Sequence, residues 1–248
     1  MTYCVGLKLD RGLVFMSDTR TNAGVDNISV FRKMFHWEAE GERSITIMTA
    51  GNLATTQAVV SLLKERALPV EERGSPSILE AASMYQVAKL VGETLREVIR
   101  DQADGEGQNA EAQFSATLIV GGQIKGGEPR LFLIYPEGNF VEAGEETPFF
   151  QIGETKYGKP IIVRAFSPEM SFEDAIKVTM LSFDSTLKAN LSVGLPIDLH
   201  VYEVDSLKRG VQRRIEQGDS YFEMLSEGWG DALKNAVQAL PPYSLEDS

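Results

Sequence analysis

Thr2, Asp18 and Lys33 are the residues of this chain whose types and order could assemble a nucleophilic site. Met1 is expected to be removed, as commonly happens when the next side chain is small, which leaves Thr2 with a hydroxyl and a free α-amine on one residue. An α-amine has an ordinary pKa of about 7.7–8.0, so part of it is neutral at physiological pH and can take the proton of its own hydroxyl. No histidine is needed. A cation beside the hydroxyl favours the ionised form, and a carboxylate keeps that cation charged and in place. Lys33 and Asp18 have those types, and would reach Thr2 if their strands neighbour the first. By spacing alone the plainer reading stays open, in which both are strand-end surface charges and Thr2 has no role.

Other chemistries find little support. The two histidines, His36 and His200, fall in expected strands beside apolar residues and read as structural. Cys4 is the one cysteine, which excludes an intrachain disulfide framework and fits a reducing compartment. With no His/Cys cluster, neither a metal nor another cofactor is expected. Gly121-Gly122 and Gly126-Gly127 bracket Lys125 without a phosphate-binding pattern and read as hairpin turns. A net charge of −12 opposes binding to nucleic acid or an anionic membrane, and the basic clusters Lys208-Arg209 and Arg213-Arg214 are short. No apolar run approaches membrane-spanning length and no secretory signal opens the chain, so a cytoplasmic protein is expected.

Strands must hold these residues. Val5, Leu7 and Leu9 alternate with Cys4, Gly6 and Lys8, Asp10-Arg11-Gly12 turns, and Leu13 to Met16 is an apolar run, which together predict a hairpin. Lys33 to Trp37 and Ser44 to Ala50 predict a second strand pair. Asn52 caps an expected helix, and Ser77-Ile78-Leu79-Glu80 reads as a capping box opening a long helix to about Gln102. That helix carries Ala81, Ala82, Met84, Val87, Ala88 and Val91 on more than one face, which points to a partner surface. Residues 103–112 read as a mobile loop. Strands follow at 114–120, 131–135, 139–142 and 149–152, then helices at about 156–165 and from the Ser171 cap. Strands at 197–204 and 211–215 precede a final helix from Ser220 to Leu240, stopped by Pro241-Pro242. Hairpin-grouped strands under helix pairs predict an α+β protein, and 43% hydrophobic residues without a linker predict a single domain over 1–248.

Several motifs in order resemble a known family. Thr2 before a short hairpin, Ser17-Asp18-Thr19-Arg20, Lys33 and Thr49-Ala50-Gly51 are similar to the opening of a proteasome β-type subunit. The likeness continues through Ser115 to Gly121, Ile152-Gly153 before a helix, and Ser192 to Asp198 entering a strand. Thr-Tyr-Cys-Val-Gly at 2–6 and Asn-Ala-Gly-Val-Asp-Asn-Ile-Ser at 22–29 resemble the bacterial Anbu (ancestral β-subunit) branch.

The resemblance implies an N-terminal-nucleophile hydrolase fold, a four-layer αββα sandwich with two antiparallel sheets. It implies a threonine peptidase acting on peptides or proteins, with Thr2 as nucleophile and base, Lys33 easing ionisation of the hydroxyl, and Asp18 orienting Lys33. The Gly51 N–H would hold the oxyanion, Thr49 would line the pocket for the side chain before the cut bond, and Thr21 and Asn22 would pair with substrate backbone. It implies self-association into a ring or open spiral. Two departures stand out: Glu154 occupies a position where the family usually carries serine, and Asn190 and Ser192 stand where an aspartate precedes a Ser-Gly loop. Glu154 and Ser192 are counted with the catalytic residues. Alternatives are an amidase of the same fold acting on a specialised amide, or a scaffold of low activity. Intact Thr2, Asp18 and Lys33 weigh against the scaffold.

Overall fold

The computed structural model describes residues 2–22, 28–72, 74–104 and 110–244. In chain order the first half contains β1 (Tyr3–Leu9), β2 (Gly12–Asp18), β3 (Arg20–Asn22), β4 (Ile28–Val30), β5 (Met34–Ala39), β6 (Arg43–Gly51), α1 (Leu53–Glu65), α2 (Met84–Ala103) and α3 (Ala110–Gln113). The second half contains β7 (Ala116–Ile124), β8 (Arg130–Ile134), β9 (Phe140–Glu142), β10 (Phe149–Gly153), α4 (Lys159–Ala165), α5 (Phe172–Ala189), β11 (Ile197–Glu203), β12 (Val211–Ile215) and α6 (Ser220–Ala239). A 3₁₀ turn covers Val70–Glu72.

The predicted N-terminal hairpin forms with Cys4 opposite Ser17 and Leu9 opposite Gly12. It sits at the centre of an antiparallel sheet ordered β10-β1-β2-β11-β12, and a second antiparallel sheet is ordered β5-β6-β7-β8-β9. Apolar residues on both faces of β1 and β2 bury every residue but the half-buried Lys8, as expected of strands with a layer on each side. Val5, Leu7 and Met16 pack under Ile162, Ala175 and Phe183 of α4 and α5. Ile45, Ile47 and Val120 pack under Val59 of α1 and Val87, Val91 and Leu95 of α2. Cys4, Leu13 and Phe15 meet Met48, Ile119 and Leu131 between the sheets. The layers are therefore helix, sheet, sheet, helix, the expected α+β sandwich.

Several local expectations are met because local bonds decide them. The Asn52 side chain accepts from Thr55 N at 3.1 Å and starts α1. Ser171 accepts from Asp174 N at 3.0 Å and starts α5, with Glu173 and Asp174 in its first turn.

Others are corrected. The long helix begins at the Ser83 cap, not at Ser77. The sequence holds two Ser-x-x-Glu/Gln patterns, and the second forms the cap: Gln86 N donates to Ser83 Oγ at 3.3 Å, and Ala82 N donates to Gln86 Oε1 at 2.9 Å. Ser77 instead accepts from Leu79 N in a local turn. Arg43 draws the Ile78 and Ala81 carbonyls at 3.3 and 2.8 Å, holding that segment out of helix while both side chains enter the core. Five of the six residues read as a partner surface are internal: Ala81, Met84, Val87, Ala88 and Val91 join the core over the second sheet, while Ala82, before the helix, is exposed. Of the expected loop at 103–112, residues 105–109 lie outside the described residues, and Ala110–Gln113 is a helical turn.

Gly121-Gly122 is not a turn; both residues lie inside β7, while Gly126-Gly127 does turn into β8. A Cβ on Gly121 would fall 2.6 Å from Phe15 Cζ and 2.9 Å from Leu131 Cδ1, so the bare backbone there lets the sheets approach. Gly121→Ala is expected to lower stability by about 1–3 kcal/mol through overpacking. The matching Phe15→Leu change should recover part of it in a double-mutant cycle read by urea unfolding.

Candidate active site

Tyr3 fixes the start of the chain. Its ring is fully buried against Phe183, with centroids 4.5 Å apart, and its hydroxyl meets Ser182 Oγ at 2.6 Å and Gln151 Nε2 at 2.5 Å. Burial pushes its phenol above the ordinary range, so it acts as a neutral anchor. Thr2, one residue earlier, is held through its carbonyl, which accepts from Glu154 N at 2.6 Å. Gly153 opposite Tyr3 has φ +83°, and a Cβ there would lie 2.0 Å from Thr2 O. Only glycine permits that approach.

Asp18 ends β2 in full burial. Its Oδ1 accepts from Tyr3 N at 2.9 Å and from Lys33 Nζ at 2.7 Å. Burial raises the Asp18 carboxyl above its ordinary value, against the opposing pull of the Lys33 ammonium and the Tyr3 and Gly194 amides. Lys33 also donates to Arg20 O at 2.6 Å, so its ammonium is aimed by a carboxylate on one side and a carbonyl on another. The surface-charge reading of this pair does not survive its burial.

The strand carrying Gly51 holds Lys33 in turn, because Thr49 N donates to Lys33 O at 2.9 Å. At Gly51 φ is +117°, and a Cβ would lie 2.5 Å from Ser115 O, so the residue must be glycine for β6 to end against β7 and pass into α1. Thr2, Thr21, Lys33, Thr49, Gly51 and Gly153 then line one cavity of about 450 Å³. A nucleophile candidate, a buried-pair cation, a strand-end glycine and a side-chain pocket face one space.

The remaining expected residues lie around it. Asn22 ends β3, and its side chain falls outside what the structure describes, as do residues 23–27 of the 22–29 stretch. Glu154 touches Thr2 through its backbone, and its carboxylate accepts from Lys156 N at 2.9 Å and Asn190 Nδ2 at 3.0 Å. Ser192 does not line the cavity; its N–H donates to Asn190 Oδ1 at 3.0 Å, tying its loop to Glu154. His36 and His200 line a different cavity. The sequence reading missed the hairpin β3–β4 and the walls supplied by Arg32, Phe35, Leu53, Thr56 and Gln57. Adjacency was their only signal: Arg32 precedes Lys33, and Leu53 to Gln57 form the first turns after Gly51.

Comparison with known proteins agrees with this geometry. The family model for the proteasome subunit matches residues 2–201. A proteasome subunit beta of Methanopyrus kandleri is 26% identical over 196 residues, covering 78% of this chain and 82% of that protein. The solved structure of Anbu (ancestral beta-subunit) from Yersinia bercovieri is 49% identical, with TM-score 0.90 over 98% of this chain and 99% of that one. The helical assembly of the Anbu complex from Pseudomonas aeruginosa is 44% identical, with TM-score 0.90 over the full length of both chains. This chain belongs to the proteasome subunit family, in its Anbu branch.

Proposed function

We propose that the chain is a proteasome-like, threonine-type endopeptidase, a single domain over 1–248 that works in the cytoplasm within a self-associated assembly. The observation that carries this reading is the Asp18 carboxylate shared between the backbone of Tyr3 and the ammonium of Lys33, beside a cavity into which Thr2 and Gly51 also open.

The mechanism follows from those positions once Met1 is removed. The Thr2 hydroxyl gives its proton to the Thr2 amine, and the Lys33 ammonium lowers the energy of the developing alkoxide. The oxygen attacks the substrate carbonyl carbon, and the charge that forms on the carbonyl oxygen is met at Gly51, where a well-placed N–H is worth about 2.7–4 kcal/mol. Collapse breaks the C–N bond, and the leaving amine takes the proton from the Thr2 ammonium. An ester to Thr2 remains. Water then attacks that ester, giving a proton to the amine, and the acid product leaves as the hydroxyl is restored. Thr49 contacts the side chain before the cut bond. Thr21 lies on β3, whose edge away from β4 carries no strand among the described residues and can pair with an extended substrate. Thr21 and Asn22 act there by backbone. Glu154 and Ser192 support the site at one remove, through the Thr2 carbonyl and Asn190.

An amidase of the same fold is the second reading, favoured by the Glu154–Asn190 pair, which alters the polar groups nearest Thr2. Self-association rests on the end of α6: Leu233, Val237 and the capping Leu240, at helical spacing, are 46%, 70% and 67% exposed. The Pseudomonas aeruginosa relative forms a helical assembly. A ring or open spiral of this chain would cover that stripe.

Thr2→Ala should abolish cleavage of a fluorogenic peptide library with the melting temperature unchanged; residual turnover would remove Thr2 from the mechanism. Turnover should fall below pH ~7.7–8.0, where the α-amine protonates. It should steepen at a more acidic pH that still lies above the ordinary aspartate range, because burial raises Asp18. Lys33→Ala takes the cation from the buried Asp18 carboxylate and Asp18→Ala takes that carboxylate from Lys33, so both should lose activity and about 3–5 kcal/mol of stability. Asp18→Ala should also loosen the Tyr3 amide in hydrogen exchange, which Lys33→Ala should not. Light scattering should report a mass well above the 27.3 kDa of one chain. A stable monomer would remove the assembly.

A further inference from the structure

A second cavity, of about 480 Å³, opens between two edge strands, β5 of one sheet and β12 of the other. Arg32 and Phe35 line both this cavity and the Thr2 cavity, so the two share a wall. In a chain of net charge −12, this groove gathers Arg32, Lys64, Arg209, Arg213 and Arg214. Two of these cations are committed. Arg214 makes a bidentate pair with Asp198 at 2.7 and 2.9 Å, and Arg209 lies 3.4 Å from Glu38. Arg32, Lys64 and Arg213 have no carboxylate partner among the described residues, and Lys64 instead sits 5.6 Å over the Phe35 ring.

The floor of the groove is polar and incompletely paired. His200 Nε2 meets Arg209 O, which can only accept, so His200 donates there and offers Nδ1 as an acceptor. Thr46 Oγ1, 2.9 Å from that Nδ1, therefore donates to it and accepts from His36 Nδ1 at 3.2 Å. The His36 Nε2 lone pair is left buried with no donor. Burial, with the nearby His200 and Arg209, pushes His36 down to about 3, so it stays a neutral acceptor at physiological pH.

We propose that this groove binds an acidic stretch of polypeptide continuous with the segment in the Thr2 cavity, so that the protein selects acidic peptide substrates. The proposal rests on the peptidase reading for the word substrate, but not for the binding. An extended chain fits better than a compact anion. Arg213 and Arg214 lie on edge strand β12, Arg32 just before edge strand β5 and Lys64 on α1, and the outer sides of β5 and β12 carry no strand among the described residues, so they can pair with an extended chain. Arginine forks at Arg32 and Arg213 match carboxylates.

The test uses the Thr2→Ala protein, which lacks the proposed nucleophile. Two labelled peptides of equal length, one carrying glutamates and one glutamines at the same positions, are titrated by fluorescence anisotropy. The glutamate peptide should bind about tenfold tighter at low salt, and the preference should vanish near 1 M salt, where screening acts within about 3 Å. Arg213→Glu and Lys64→Glu should each remove most of the preference. Lys64 lies on α1 and Arg213 on an exposed edge strand, so one variant serves if the other fails to fold. Equal affinities, or a preference that survives both reversals, would overturn the proposal. So would inorganic phosphate binding at the groove while the two peptides bind alike, which would make it a small-anion site. Acid-selective binding with no cleavage by the Thr2-intact protein would overturn the peptidase reading and leave the groove. Cleavage with no acidic preference would do the reverse.

Discussion

One oxygen atom organises the site. Asp18 Oδ1 accepts from the Tyr3 backbone and from the Lys33 ammonium, so the segment carrying Thr2 and the cation proposed to act on it are held by the same acceptor. A buried ion pair is weak support for stability, since desolvating both charges offsets much of their attraction. Its value here is positional. The carboxylate comes from the first sheet and the lysine leads into the second, so the pair is also a clamp between layers. Tyr3, bonded to Ser182 and Gln151, extends the clamp to α5 and β10.

Around that clamp the sequence was legible where the deciding bonds are local. The 3–18 hairpin follows from alternation and a turn, and the starts of α1 and α5 follow from Asn52 and Ser171 each accepting from the N–H three residues ahead. Legibility failed where distant residues decide. Ser77 and Ser83 offer similar caps, and the choice between them is made by Arg43, far away in sequence, holding the Ile78 and Ala81 carbonyls. Gly121 looks like a turn residue until Phe15 is placed against it. The short strands of the β3–β4 hairpin carry too few residues for a period to show.

The site divides in the same way. Thr2, Asp18, Lys33 and Gly51 could be named from type, order and family likeness, and they do converge. The walls of the cavity could not, because Gln57 and Thr56 enter it only through the docking of α1 on β6. Glu154 was legible as a departure, but its bonds to Lys156 and Asn190 depend on how the 190–196 loop folds back. The basic residues near 209–214 looked like a minor surface cluster, because Arg32 and Lys64, which join them, come from elsewhere in the chain.

The bare stretch of β7 at Gly121 acts as a gauge block. Thr2 and Asp18 ride on one sheet, while Lys33 and Gly51 ride on the other. The separation of Thr2, Lys33 and Gly51, which the proposed mechanism uses as hydroxyl, cation and oxyanion donor, therefore depends on how closely the sheets seat, and Phe15 resting on a glycine is one point of that seating. A catalytic arrangement loses about a hundredfold in rate for a misplacement of roughly 1 Å. In the proposed mechanism the thickness of the sandwich is thus a kinetic parameter, tuned by residues that never meet a substrate.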